Sequence, residues 1–375
     1  MSPFPTTNKL LPMNNLERLK NLLRRLKLDA LLVTQPDNRR YLSGYTAGDM
    51  NIGESSGVLL IPRRGAPLLL TDFRYQLQAQ REAAGFEVRL YQRGLFPLLK
   101  EILDELGIKS LGFESHYFLH QAAVKLQKLA VETRVELVPV TDLVERLRIC
   151  KNPDELAKIR AAVRLNEAVF QEVYQGLTPG MSERQVALRI ETLMREKGAE
   201  RPSFETIVAS GPNGALPHAV PGERPLREGE PIVIDMGLVL AGYCSDMTRT
   251  VVLGPMDDLT RERFRLVRKA QLAGMAAVKA GVTGREVDRS ARQVIAAAGY
   301  GPAFGHSLGH GVGLAVHEPP SLSVRYHRKL QAGMVVTVEP GIYLPEWGGI
   351  RLENMVAVTE SGCEVLNKDV TFLDV

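Results

Sequence analysis

Three of the chain's seven histidines, His306, His310 and His317, fall within residues 305–319, with glycines between them. Imidazole is a common metal ligand, and its pKa lies nearest to neutrality among side chains. Glycine lets a backbone turn tightly and approach a ligand closely. A glycine-rich loop with incidental histidines is the alternative, because short motifs recur by chance. Acidic residues elsewhere in the chain decide between the two interpretations.

Two aspartates follow apolar, strand-like runs. Asp235 ends the run at 232–234, and Asp246 lies in a second run at 243–252. If these runs form a hairpin that turns near residues 240–241, the two aspartates lie directly opposite each other. Like charges opposed across a ladder are destabilising unless a cation lies between them. Two acids beside an exposed hairpin are the alternative, but Asp235 follows three β-branched residues that should be buried, where a charge needs a partner.

Two glutamates complete an oxygen-rich set. Glu339 ends the apolar run at 334–338, and Glu353 is expected within an apolar strand, on the same face as Arg351. A structural ion pair between Arg351 and Glu353 is an alternative for these two. Four carboxylates and one imidazole would balance two divalent cations and suit manganese, cobalt or zinc, but not an iron–sulfur cluster or a structural zinc. The candidate metal ligands are Asp235, Asp246, His310, Glu339 and Glu353.

Such a set predicts hydrolysis. Two cations roughly 3.5–4 Å apart can bridge one water, lower its pKa and polarise a carbonyl. Glu339 could also carry the proton from that water to the leaving amine. His306 and His317 flank His310 and would stabilise an oxyanion and position the substrate. His218 is a further candidate, although its chemistry alone does not separate a functional role from an incidental loop histidine.

The elements that position these residues divide the chain of 375 residues into about two domains. Leucines at helical spacing predict a helix from Leu16 to Leu26, and residues 95–106 predict another. Strand-like runs between these helical segments indicate an α/β domain. The runs are residues 30–33, 57–61, 67–71, 110–113 and 135–138. Residues 38–45 are expected to form a loop.

The second half predicts an α+β domain. Asn152 can cap a helix that begins at Pro153 and ends near Gln175. Two capping boxes predict further helices, one begun by Ser182 and Gln185 and one by Thr283 and Glu286, near 284–298. The predicted organisation is a flexible tail at 1–13, an α/β domain at 14–148 and a catalytic domain at 149–375.

Composition excludes several classes. The net charge is +4, and no run of five like charges occurs, so nucleic-acid binding is not expected. The three cysteines are odd in number and widely spaced, which fits a reducing compartment rather than a disulfide framework. No signal peptide and no run of roughly 18 apolar residues is present. A cytoplasmic protein that does not bind a membrane is therefore expected.

The sequence resembles the pita-bread metallopeptidases, in the branch that holds prolidase (Xaa-Pro dipeptidase) and aminopeptidase P. Residues 36–44 are similar to the creatinase-type N-terminal domain, so the resemblance covers nearly the whole chain except its first dozen residues. The motifs are Ile234-Asp235-Met236-Gly237, Ser245-Asp246-Met247-Thr248-Arg249, residues 202–218, residues 305–318, Val338-Glu339-Pro340-Gly341 and Ile350-Arg351-Leu352-Glu353-Asn354.

The resemblance implies an α/β creatinase-like domain followed by an α+β pita-bread catalytic domain. It implies that the five candidate ligands bind two metal ions, often manganese or cobalt, with Asp246 and Glu353 bridging them. His218, His306 and His317 would line the substrate site. Arg351 would order the site or hold a substrate carboxylate. It also implies a homodimer that acts on proline-containing dipeptides or short peptides.

Rival interpretations remain within and beyond this family. Methionine aminopeptidase would leave residues 1–150 unexplained, creatinase lacks the full ligand set, and a non-catalytic pita-bread binding module should have lost ligands. The interval of fourteen residues between Glu339 and Glu353 favours a compact prolidase. Aminopeptidase P, which acts on longer peptides, is the alternative.

Overall fold

The structure is a computed structural model that describes residues 15–51 and 53–371. The predicted tail at 1–13 lies outside the described residues. The chain divides between Arg148 and Ile149 into two compact units.

The first unit is a six-stranded mixed sheet between two hydrophobic layers. Its strand order is β4-β3-β2-β1-β5-β6. The strands are β1 (Ala30–Val33), β2 (Val58–Pro62), β3 (Leu68–Thr71), β4 (Glu87–Leu90), β5 (Ser110–Glu114) and β6 (Glu136–Val140). The helices are α1 (Asn15–Leu26), α2 (Pro36–Ser43), α3 (Gln76–Glu82), α4 (Leu95–Glu105), α5 (His120–Thr133) and α6 (Glu145–Arg148).

Strand periodicity explains why this sheet is covered on both faces. Leu31 and Val33 of β1 pack in one core with Leu19 and Leu23 of α1. Their neighbours on β1 point the other way and pack in the core that includes Leu99 of α4. The predicted α/β class of this unit is therefore confirmed.

The expectation of a loop at residues 38–45 is wrong, because α2 occupies most of that range. Gln35 caps this helix by accepting a hydrogen bond from Asn38 N at 2.6 Å, and Pro36 takes its first position. Gly44, at φ +77°, ends it in the left-handed conformation that favours glycine.

In the second unit, two helix pairs each share a core with a sheet. The helices are α7 (Pro153–Gln175), α8 (Glu183–Glu196), α9 (Asp258–Ala277) and α10 (Gly284–Ala297). The first strands are β7 (Arg201–Pro202), β8 (Ile207–Ser210), β9 (Pro231–Met236), β10 (Leu238–Leu240), β11 (Tyr243–Cys244) and β12 (Met247–Val252). The later strands are β13 (Gly309–Gly311), β14 (Glu318–Leu322), β15 (Val335–Val338), β16 (Gly341–Leu344), β17 (Gly348–Arg351), β18 (Asn354–Val358) and β19 (Cys363–Val365).

The sheets of this unit are antiparallel. They have the orders β12-β9-β8, β11-β10-β7 and β14-β13-β15-β18-β19, with β16 and β17 forming a hairpin. Helices α7 and α8 share a core with β8 and β9, whereas α9 and α10 share one with β15 and β18. The predicted capping residues Asn152, Ser182 and Thr283 are confirmed, since each accepts a hydrogen bond from the backbone three residues later.

Candidate active site

All of the predicted site residues of the second unit line one cavity of about 520 Å³. Asp235 lies near the end of β9, Asp246 lies between β11 and β12, and His310 lies in β13. Glu339 follows β15, and Glu353 separates β17 from β18. The lining also includes His218, His306, His317 and Arg351.

Two local expectations about these strands are wrong. Asp235 is opposite Thr248, not Asp246, because the hairpin turns at Ala241 and Gly242, both at positive φ. Compared with the expected hairpin, the turn lies one residue later and the strand register is shifted by two residues. The two aspartates are therefore diagonal neighbours on one face. Glu353 was expected within a strand, but it lies in the irregular link between two strands.

A core of three ligand-type side chains forms the centre of the cavity. Donor atoms of Asp246, His310 and Glu353 all lie within 4.8 Å of one another. Burial raises the pKa values of Asp246 and Glu353 well above their usual ranges, and the neighbouring carboxylates raise these pKa values further. Like charges held this closely away from water favour a cation between them.

The hydrogen-bond inventory supports the same conclusion. Among the described residues, Oδ1 of Asp235 and Oε1 of Glu353 are buried without a hydrogen-bond partner. The other oxygens of these carboxylates accept from Arg351 Nη2 at 2.6 Å and Thr248 Oγ1 at 2.8 Å. A buried carboxylate oxygen without a partner is costly, and a metal ion would satisfy it. The residues present therefore fit divalent cations.

His310 contacts two of the carboxylates. Its Nε2 lies 3.2 Å from Glu339 Oε1 and 3.5 Å from Asp246 Oδ2. Burial alone would lower the pKa of His310, but the hydrogen bond and charge of Glu339 outweigh it and raise the pKa to about 9. Burial likewise opposes ionisation of Glu339, but His310 lowers the pKa of that carboxyl to about 2. A cation that replaces this proton would use the same Nε2 atom.

The other two clustered histidines take different positions. The His317 ring contacts that of His310 edge-on, with centroids 4.2 Å apart. His306 Nδ1 is 2.7 Å from Ser307 O, and its Nε2 is 2.9 Å from the hydroxyl of Tyr343. Burial lowers the pKa of both His306 and His317, so both rings favour the neutral form.

Arg351 connects several parts of the site. Its guanidinium donates to Asp235 Oδ2, to the Tyr343 hydroxyl at 2.9 Å and to the carbonyl of Pro217 at 3.2 Å. The ion pair considered between Arg351 and Glu353 is absent among the described residues, since the carboxylate partner of Arg351 is Asp235. Arg351 Nε instead donates to Thr248 Oγ1, whose hydroxyl donates to Glu353.

Sequence reasoning missed Tyr343 and Thr248 as parts of this network. Residues Gly341 and Arg351 pair across the β16–β17 hairpin, which places Tyr343 diagonally from Arg351 on one face. The hairpin turns at residues 345–347, with Glu346 at positive φ, and Pro345 was the available signal for that turn. Thr248 lies directly opposite Asp235, so the correct turn would have identified it.

Comparisons with known proteins identify the family. Residues 157–360 match the model of metallopeptidase family M24, and residues 15–150 match the creatinase/prolidase N-terminal domain. The chain belongs to metallopeptidase family M24. It is an enzyme of the peptidase class, and membership implies divalent metal ions.

Relatives of this M24 peptidase match along most of their length. An uncharacterized peptidase of Bacillus subtilis, YqhT, is 41% identical over 92% of this chain and 96% of its own. A solved Xaa-Pro dipeptidase from Bacillus anthracis is 38% identical with a TM-score of 0.89, covering 95% of this chain and 97% of that one. An X-Pro aminopeptidase from Thermotoga maritima is 37% identical with a TM-score of 0.85, covering 94% and 98%.

These neighbours confirm the predicted fold class, a creatinase-type α/β domain followed by a pita-bread catalytic domain. No helix in the described part of this M24 peptidase combines the length and the apolar character needed to cross a membrane.

Proposed function

We propose that this family M24 peptidase hydrolyses the peptide bond before proline, acting as an Xaa-Pro dipeptidase. The observation that carries the proposal is the cavity in which Asp235, Asp246, His310, Glu339 and Glu353 converge beside an apolar wall. Solved relatives named for the Xaa-Pro bond, similar to this chain over nearly its whole length, support the same substrate class.

The apolar wall suits a proline ring. It comprises Phe204, Ile207, Pro217, Ala219 and Val220. An Xaa-Pro bond has no N–H to donate, and the pyrrolidine ring fixes φ. A pocket shaped for the ring can therefore select this bond by shape and by the missing donor.

The five converging side chains would hold two divalent cations. Manganese is the proposed metal, with cobalt and zinc as alternatives that metal analysis would separate. Bound there, the cations would lower the pKa of a water and polarise the scissile carbonyl. The unpartnered oxygens of Asp235 and Glu353 support this assignment.

The remaining steps belong to the chain's own side chains. Glu339 lies 3.2 Å from His310 at the cavity wall, where its carboxylate can take a proton from water and pass it to the leaving amine. His317 and His218 border the cavity and would donate to the developing negative charge of the substrate carbonyl. His306, whose two ring nitrogens face Ser307 O and the Tyr343 hydroxyl, would line the substrate site beside them. Arg351 holds Asp235 in place and would order the substrate side of the cavity.

An Xaa-Pro aminopeptidase is the second candidate, because the Thermotoga maritima neighbour is nearly as similar as the Bacillus anthracis dipeptidase. The deciding experiment compares a Leu-Pro dipeptide, a Leu-Pro-Xaa-Xaa tetrapeptide and a Leu-Ala dipeptide with manganese-loaded enzyme. We expect rapid hydrolysis of Leu-Pro alone. Equal efficiency on the tetrapeptide would establish the aminopeptidase, and equal efficiency on Leu-Ala would reject proline selectivity.

The proposal also includes a homodimer and a cytoplasmic location. The three free cysteines, of which Cys244 is buried, are compatible with a reducing compartment. Light scattering of the purified enzyme would determine its oligomeric state.

A further inference from the structure

Glu183 is a fully buried carboxylate that the proposed chemistry does not use. It is the first residue of α8 and has no exposed surface. A buried carboxylate is retained only where hydrogen bonds compensate its lost hydration. The groups that supply these hydrogen bonds all belong to one short stretch of chain.

These groups belong to the two residues that flank residues 211–221, here termed the His218 loop, and to one residue within it. Glu183 Oε1 accepts from the backbone N and the hydroxyl of Ser210, both at 2.8 Å. Its Oε2 accepts from Gly222 N at 3.1 Å and Asn213 Nδ2 at 3.0 Å. Ser210 precedes the loop and Gly222 follows it, so one carboxylate fastens both ends.

The loop has a further anchor next to His218. Arg351 Nη1 donates to the carbonyl of Pro217 at 3.2 Å. The side chain of Ala219 is buried in a small cluster with Ile207 and Ala209. The backbone is therefore held on both sides of His218.

The imidazole of His218 depends on this backbone for its position. It borders the cavity, and within the described part of the chain no side chain or backbone group forms a hydrogen bond to it. By contrast, the rings of His306 and His310 have hydrogen bonds of their own. A displacement of the loop would thus move His218 directly.

We infer that Glu183 is a positioning residue for the reaction, acting through the loop to hold His218 against the substrate. The inference rests on the proposed function. A misplacement of about 1 Å at a reacting centre can cost up to about a hundredfold in rate, so the two ends of the loop require a firm anchor.

The test is a double-mutant cycle with E183Q and H218A. A glutamine amide keeps the size of Glu183 but turns one N–H donor towards Gly222 N or Ser210 N, so one end of the loop loses its acceptor. We expect E183Q to lower kcat/KM for Leu-Pro about tenfold, mainly through kcat, and H218A to lower it about a hundredfold. In the H218A background, E183Q should lower it less than about twofold, because the group that it positions is absent.

Two further variants make the result decisive. N213A removes an internal anchor without altering the charge of Glu183, and it supplies the same cycle if E183Q fails to fold. E114Q is the matched control, since Glu114 is a buried carboxylate of the first unit that also accepts from two backbone N–H groups and an asparagine, Asn38. We expect E114Q to lower the melting temperature but to leave kcat/KM within about twofold.

An equal loss from E183Q in both backgrounds, or no loss in either, would overturn the positioning role. The proposed function fails in a different way. If wild-type enzyme cleaves Leu-Ala and not Leu-Pro, the proposed substrate class is wrong, and the same cycle on Leu-Ala still decides the role of Glu183. If H218A keeps full activity, His218 has no role to be positioned for and the inference is wrong.

Discussion

The hydroxyl of Tyr343 joins two parts of the site that have different tasks. It accepts from Arg351 Nη1 at 2.9 Å and lies 2.9 Å from His306 Nε2. His306 Nδ1 faces the carbonyl of Ser307 at 2.7 Å and must donate to it, so Nε2 accepts from Tyr343. The direction of each hydrogen bond is thereby fixed, and Tyr343→Phe would remove both bonds at once.

The magnitude follows from what the substitution leaves behind. Arg351 keeps its hydrogen bonds to Asp235 and Pro217, so it loses only the one hydrogen bond that it donates to Tyr343. His306 Nε2 loses its protein partner. One such bond is worth about 1 kcal/mol between neutral groups and more to a charged group, so we expect a loss of about 2 kcal/mol in the free energy of unfolding. If the transition state needs the same alignment, kcat/KM should fall about thirtyfold.

Urea unfolding and Leu-Pro hydrolysis measure these two losses separately. Tyr45→Phe is the control, since the Tyr45 hydroxyl donates to the carbonyl of Ser56 at 3.0 Å in the first unit. We expect this control to lose about 1 kcal/mol of stability and to keep its kcat/KM. If Tyr343→Phe lost stability but kept kcat/KM within twofold, the two hydrogen bonds of the Tyr343 hydroxyl, to His306 and Arg351, would be structural only, and the reasoning would be refuted.

Three further predictions concern charge. Glu339→Gln should reduce turnover by at least about a thousandfold with an unchanged circular dichroism spectrum, and substantial remaining activity would refute its role in proton transfer. Adding manganese to chelator-treated enzyme should raise the melting temperature, with about 2.7 kcal/mol of stabilisation at a hundred times Kd, and an unchanged melting temperature would contradict the cation site. Burial opposes ionisation of Asp369, but the charge of Arg249, 2.7 Å away, lowers the pKa below its ordinary 3.8. This ion pair therefore stabilises the fold above pH 3.8 and loses that effect as the pH falls through the lower folded pKa. Asp369→Asn should lower the free energy of unfolding by about 3 kcal/mol near neutrality. That loss should become smaller in unfolding curves measured at acid pH.

Capping residues in the sequence predicted α7, α8 and α10, because helix caps are local, whereas α3, α5, α6 and α9 were not predicted. Asn152, Ser182 and Thr283 each satisfy the backbone within three residues, so no knowledge of tertiary contacts was needed. Helix α2 was missed although Pro36 and Gly44 mark its two ends. Its cap is a glutamine rather than one of the usual capping residues, and its side-chain pattern is mostly polar.

The candidate site could be assembled from residue types, but its internal pairing could not. Strand ends with carboxylates indicated which residues would converge, and all of them line the cavity. The register of β9 and β12 depended on whether Ala241 could take a positive φ, which is uncommon for alanine. The partner of Arg351 depended on how β17 meets β9, a contact between strands far apart in sequence. Neither can be read from spacing.

The pairing of Arg351 with Asp235 changes the charge balance on which the sequence interpretation depended. Four carboxylates alone would neutralise two divalent cations. With the Arg351 guanidinium 2.6 Å from Asp235, the two cations and Arg351 together carry one positive charge more than the carboxylates. Until the water at the cations ionises and balances it, this buried excess charge favours an anionic substrate group close by. The free carboxylate of a dipeptide lies one residue from the scissile bond, whereas that of a longer peptide lies farther away. This electrostatic difference is a physical reason to place the dipeptidase ahead of the aminopeptidase.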